Sequence, residues 1–213
     1  MLAFFLLSSQ SIHAQMLGVT FEVDTVFGPA SPDFDPNGDL EGYTSTLVYA
    51  NFTNTTDVLS AIYADTAVFV DAAPLQINGT CDCWNPDFGS MVIGSAVNPA
   101  FENIPGLGPF IYDTFWTIGK KYHTDPGAEI NWQSDPPVDG SQICGELIYN
   151  GLMYNIGQTG DFAENAIAGD DLKILIARVT TCGPFSLTMN AQIFIEGDQD
   201  QVQQFQMCET SDI

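Results

Sequence analysis

The 213-residue chain reads as an all-β protein: an antiparallel β-sandwich, Greek-key or jelly-roll-like in its connections, with little helix. Three observations predict this. Apolar and polar residues alternate with period two in one run after another, which is the spacing of strands with one wet face. Between the runs stand Gly28-Pro29, Asn37-Gly38, Asn98-Pro99, Pro105-Gly106, Pro126-Gly127, Pro136-Pro137 and Gly183-Pro184, dipeptides that stop regular structure and turn the chain. No long stretch carries a helical apolar stripe and strands do not alternate with helices, so the pattern is that of a sandwich rather than a parallel α/β sheet.

The elements follow in order. Leu2-Ala3-Phe4-Phe5-Leu6-Leu7, then Ser8, Ser9, Ser11 and His13-Ala14, have the apolar core and small-residue cleavage point of a secretory signal peptide over residues 1–14, without its usual positive start. Residues 15–213 then form a single domain. Val19, Phe21 and Val23 alternate with Thr20, Glu22 and Asp24 as a first strand. Tyr43 to Thr53 is rich in aromatic and β-branched residues, and Leu59, Ala61 and Tyr63 open a run that continues through Val68 and Val70. Asp113 to Ile118 is short and aromatic. Leu172 to Val179 and Phe185 to Glu196 are the strongest strands. The second sets Phe185, Leu187, Met189, Ala191, Ile193 and Ile195 against Ser186, Thr188, Asn190, Gln192 and Glu196. Asp161 to Ala168 has room for a turn or two of helix, and Asn98 to Pro109 and His123 to Ser141 read as long surface loops.

Composition narrows the function. With 27 acids against 4 Lys and Arg, the formal charge is -23, which leaves almost nothing to replace phosphate counterions and excludes a nucleic-acid partner. The same charge disfavours anionic membrane surfaces. Apolar residues make up 45% of the chain, enough to build a core, yet no segment has the roughly 18 consecutive apolar residues of a membrane span. After the leader five cysteines remain, Cys81, Cys83, Cys144, Cys182 and Cys208; in an exported protein these are disulfide partners, and the odd one is left free or forms an intermolecular disulfide. Cys81-Asp82-Cys83 lacks the two-residue spacer of a zinc knuckle and has no second ligand pair.

Glu41-Gly42-Tyr43 leading into Leu47-Val48-Tyr49-Ala50-Asn51-Phe52, then Asp57 to Tyr63, Tyr112-Asp113-Thr114-Phe115-Trp116-Thr117-Ile118-Gly119 and Leu175 to Thr181, form an ordered series. The series resembles an uncharacterised β-sandwich module of large secreted proteins from marine bacteria and aquatic microbial eukaryotes. The resemblance spans roughly Gly18 to Gly197. It implies a surface or extracellular part, and it attaches no catalytic residues to any position of this chain.

Candidate chemistry is sparse. Asp33, Asp35, Asn37, Asp39 and Glu41 supply alternating oxygens around Gly38, the donor set a hard cation takes, and make calcium the candidate ion. Thr44 stands where an EF-hand loop carries its bidentate Glu, and a solvated acidic turn is the competing reading. His123 is the one histidine after the leader, and the chain has neither a Gly-x-Ser-x-Gly elbow nor a His-Glu-x-x-His pair. Trp116 lies in a strand and reads as core, whereas Trp84 and Trp132 are candidate faces for sugar rings. Asn51, Asn54 and Asn78 head glycosylation sequons. The sequence therefore predicts a non-catalytic secreted or cell-surface module with a structural or adhesive role, its partners surface or matrix proteins or glycans. A carbohydrate-binding module is the alternative, and a glycan-active hydrolase using two acids comes last.

Overall fold

The computed structural model describes residues 16–65, 73–86, 91–138, 140, 143–155 and 162–212; the leader expected at 1–14 and the run through Val68 and Val70 lie outside them. Ten strands are described: β1 (Gly18–Val26), β2 (Thr44–Asn51), β3 (Val58–Asp65), β4 (Gln76–Gly79), β5 (Phe115–Trp116), β6 (Asn131–Ser134), β7 (Asn150–Tyr154), β8 (Lys173–Thr181), β9 (Phe185–Phe194) and β10 (Val202–Thr210). Every strand pairing is antiparallel. One sheet has the order β1-β2-β8-β5; the other runs β10-β9-β3-β7-β6, with β4 also paired to β9. The fold is the all-β architecture that the alternation predicts.

β2 and β8 are neighbours in the first sheet, and their successors in the chain, β3 and β9, are neighbours in the second. Two of the crossings between layers, β2 to β3 and β8 to β9, therefore run side by side. Asp57 ties the first crossing to the β9–β10 connection: its buried carboxylate accepts from the backbone N–H of Asn54 at 3.3 Å and of Glu196 at 3.0 Å. The second crossing is the Cys182-Gly183-Pro184 turn. Between the layers lies one continuous core, with Val48, Ala50, Ile174, Ile176 and Val179 from the first sheet and Leu59, Ile62, Met153, Leu187, Met189, Ala191 and Ile193 from the second. Phe21 meets Phe185 edge-on at 5.5 Å across the gap.

Among the described residues the helical content is limited to 3-10 segments of three to five residues, Glu164–Ala166 among them, inside the stretch expected to form a turn or two. That turn carries a clamp. Asn165 donates to the Ile118 carbonyl at 2.7 Å and accepts from the Ala128 N–H at 3.0 Å, fastening the segment after β5. Gly119 makes this approach possible: a Cβ there would lie 1.8 Å from the Asn165 carbonyl oxygen, and its φ of +72° is costly for any other residue. The expected loop from His123 to Ser141 contains β6, which joins the sheet edge beside β7. The Asp113 to Ile118 strand shortens to β5; the Thr114 N–H donates to the Trp84 carbonyl, and the Thr117 hydroxyl to the Lys120 carbonyl.

Candidate functional site

All four cations are committed to ion pairs. On the outer face of the first sheet, Arg178 of β8 is fully buried; its Nη2 donates to Asp24 Oδ2 at 2.9 Å and its Nη1 to the Ile111 carbonyl. The guanidinium lies among the rings of Tyr112, Phe115 and Tyr122, at 5.1, 5.6 and 5.6 Å. Lys121 adds two bonds to Asp24, at 3.0 and 3.1 Å. Lys173 reaches Glu22 at 2.6 Å and caps the Tyr49 ring, while Lys120 reaches Glu129 at 3.3 Å. Phe27 and Phe34 pack edge-on against Tyr112, closing an aromatic lid over this face. The arrangement staples loops to the sheet and leaves no cation to meet an anionic ligand.

Asp113 lies just below. It is fully buried, accepts from the Met91 N–H at 2.5 Å and faces the Asn85 side chain, whose amide nitrogen reaches it at 3.3 Å in the orientation that satisfies both ends of the amide. Burial pushes its carboxyl up to about 8, against the opposing pull of the Met91 and Thr114 N–H groups and of Arg178. A neutral acid with these partners holds the loop before β5 in place; no nucleophile or second acid is hydrogen-bonded to it among the described residues.

The acidic turn is organised around Asp35. This residue is buried, and its two carboxylate oxygens accept from the backbone N–H of Asp39 and of Leu40, each at 2.9 Å. Leu40 is thereby driven to full burial. Asp33, Asn37, Asp39 and Glu41 stay exposed around the turn, with one long contact of 3.5 Å from Asn37 to Asp39. Among the described residues no group of three or more His, Cys, Asp or Glu side chains is arranged to hold a metal ion. Asp35 thus caps the backbone of the turn itself.

Two disulfides form, Cys81–Cys182 and Cys83–Cys144, and Cys208 is free and exposed on β10. The segment after β4 leaves the second sheet through Cys81 and joins the first, where Cys83 bridges Thr181 and the Trp84 N–H donates to the Thr180 carbonyl at 2.7 Å. The Cys pair thus bolts both layers together at one corner. Beside it lies an open depression of about 350 Å³ lined by Asn78, Thr80, Asp82 and Asn85. Trp84 is half-buried with its indole N–H on the Pro109 carbonyl at 3.0 Å, and Trp132, opposite Met153 in register, packs on the core. Neither ring stands as a free platform.

Asn51 is on the outer face, donating to Thr20 at 2.8 Å; Asn54 accepts from the Thr56 hydroxyl of its own sequon at 3.1 Å and donates to Glu196; Asn78 is exposed. His123 turns Nδ1 to the Val97 carbonyl at 3.1 Å, so the ring is spent on loop geometry.

One feature has no counterpart among the sequence-derived sites. The outer side of β4, β9 and β10 consists of cross-strand rows: Asn78–Ser186–Thr210, Gln76–Thr188–Cys208, Asn190–Gln206 and Gln192–Gln204. None of these residues is charged. Asn190 is buried and bonded to Tyr63 and Ala73 backbone, and the rest are partly or fully exposed. Among the described residues this sheet face presents amides and hydroxyls, in a chain of charge -23. The sequence carried half of this signal, in the uncharged wet face of β9; the other half needed the register of β10.

Comparison with protein-family models, with curated proteins and with solved structures gives no match. No helix among the described residues is long and apolar enough to cross a membrane. The functional reading therefore rests on the geometry alone.

Proposed function

We propose that the protein is a non-catalytic extracellular β-sandwich module with a structural or adhesive role, whose contact surface is the uncharged outer face of β4, β9 and β10. The observation that carries this is that face itself. A body with this charge excludes anionic partners everywhere, and its cations are all paired, so a neutral partner has its lowest approach cost where acids are absent. Two disulfides suit an oxidising compartment and support export. The residues with catalytic potential support the same reading: His123 and Asp113 are both held by backbone groups.

The same face favours a neutral polysaccharide over a protein as partner, because side-chain amides and hydroxyls match sugar hydroxyls as alternating donors and acceptors. Retention on a panel of insoluble neutral glycans tests this, with Gln192→Glu plus Gln204→Glu as the charged control. Retention lost in the charged pair is expected; retention by neither protein, or by both equally, would remove the face from the proposal. Trp84→Ala and Trp132→Ala are expected to change stability rather than retention.

A further inference from the structure

We infer that the outer face of the first sheet holds a buried water-binding site beneath the aromatic lid, built from Ser45 Oγ, Thr180 Oγ1 and Arg178 Nε. A buried donor or acceptor without a partner costs its full desolvation, and more where the group is charged. Ser45, Arg178 and Thr180 are all fully buried, and among the described residues Ser45 Oγ, Arg178 Nε and Thr180 Oγ1 have no hydrogen-bond partner. β2 and β8 bring these atoms to one patch. Ser45 is the register partner of Thr180, and Arg178 stands two residues before Thr180 on β8, so the three side chains leave the sheet on the same face. Arg178 identifies that face as the one under the lid: its Nη1 and Nη2 bind the Ile111 carbonyl and Asp24, and its guanidinium faces the Tyr112 ring.

The ligand that fits is water. Directly opposed Cβ atoms are about 4.5 to 5.5 Å apart, and a water between two hydroxyls spans such a gap with O–H···O bonds of about 2.8 Å each. Arg178 is about 7 Å along β8 from Thr180, within reach of its long side chain, and its Nε–H supplies a third bond. About three partners is the usual complement of a buried water. The water accepts from Nε–H and from one hydroxyl and donates to the other, so each group acts in a role open to it. The charges call for a neutral ligand, because Asp24 already faces the guanidinium. Bound there, the water ties β2 to β8 at the anchor of the lid. The polar row continues from Ser45 to its partner on β1, Thr25, whose hydroxyl donates to the Tyr112 hydroxyl at 3.4 Å. Thr25 and Tyr112 are half-buried, which makes this end of the row the route of exchange with solvent.

Magnetic relaxation dispersion of the solvent nuclei, measured on the disulfide-intact protein, counts waters held longer than the molecule takes to tumble. Ser45→Ala with Thr180→Val removes both hydroxyls at nearly constant size, and neither hydroxyl has another partner to lose. The double variant is expected to hold one long-lived water fewer than the parent, whereas Thr180→Ser, which keeps its hydroxyl, retains the parental count. The urea midpoint of the double variant is expected to fall, since Arg178 Nε is left without the water that its neighbours helped to hold. A crystal structure of the parent that shows ordered solvent should place one water oxygen within hydrogen-bond distance of all three atoms. Equal dispersion in parent and double variant, a urea midpoint that rises in the double variant, or hydroxyls of Ser45 and Thr180 found bonded directly to protein groups would each overturn the inference.

Discussion

Replacing Asp113 by Asn should flatten the protein's response to mild alkali. The Asp113 carboxyl is raised from 3.8 to about 8, with burial as the main cause. Between those values the folded state keeps a proton that the unfolded chain has released. Stability contributed by this group is complete below about pH 4 and is lost as pH rises towards 8, at about 1.4 kcal/mol per pH unit. From about pH 5 to about pH 8 the loss amounts to roughly 4 kcal/mol, a large part of the 5–15 kcal/mol typical of a domain. Asn reproduces the neutral acid in size and keeps a carbonyl for the Met91 N–H. The variant should therefore match the parent near pH 5 and exceed it by up to about 4 kcal/mol near pH 8. Urea unfolding with the disulfides intact, in about 1 M salt so that the Debye length falls to about 3 Å, isolates this effect from general self-repulsion. Asp57, whose carboxyl is also raised by burial, leaves a smaller slope of the same sign in both proteins. Parallel pH profiles for parent and variant would refute the assignment of a buried neutral acid.

Three further outcomes follow from the packing. Arg178→Met removes a fully buried cation from Asp24 and the aromatic lid, and although Lys121 still pairs Asp24, a loss of about 3 kcal/mol in urea melts is expected. Retention of parental stability would show that the lid packs without the charge. Cys81→Ser with Cys182→Ser opens a 101-residue separation and should cost about 4 to 5 kcal/mol in the chain-entropy limit, read as a fall in urea midpoint that exceeds the effect of Cys208→Ser. Calcium should raise the melting temperature no more than magnesium at equal ionic strength, since Asp35 already spends both oxygens on backbone N–H groups; a calcium-specific rise abolished by Asp39→Asn would place an ion at the turn.

The sequence made legible those strands whose two faces differ. β1 and β9 have an apolar side against the core and a wetter side, and their alternation located each to within a few residues, while β2 and β8 stood out as runs rich in apolar and β-branched residues. β10 escaped because consecutive Gln203 and Gln204 blur its period, and an edge strand buries only Phe205 and Met207 in part. β7 begins Asn150-Gly151, a pair that reads as a turn, but Gly151 is needed where Trp132 and Ile148 close over the strand. Site residues were less legible still. Cysteine spacing is equally compatible with several pairings, and the one adopted depends on β4 leaving its sheet at Cys81. Arg178 was visible as a lone charge inside the run Ile174 to Val179, yet its role needed Asp24, 154 residues away. The acidic turn shows the reverse case, a true pattern of oxygens whose use is local: the same alternation that fits a cation also lets Asp35 reach two backbone N–H groups.

The charge distribution links the fold to the proposed contact face. Four cations cannot neutralise 27 acids, and the fold does not spread them; three of the four sit on the outer face of the first sheet, where they hold loops down. That concentration leaves the remaining surface acidic without counter-charge, so copies and anionic partners are kept off most of it by repulsion that reaches about 10 Å in 0.1 M salt. Among the described residues the exposed rows of the β4–β9–β10 side carry no acid, so a neutral partner approaching those rows meets amides and hydroxyls first.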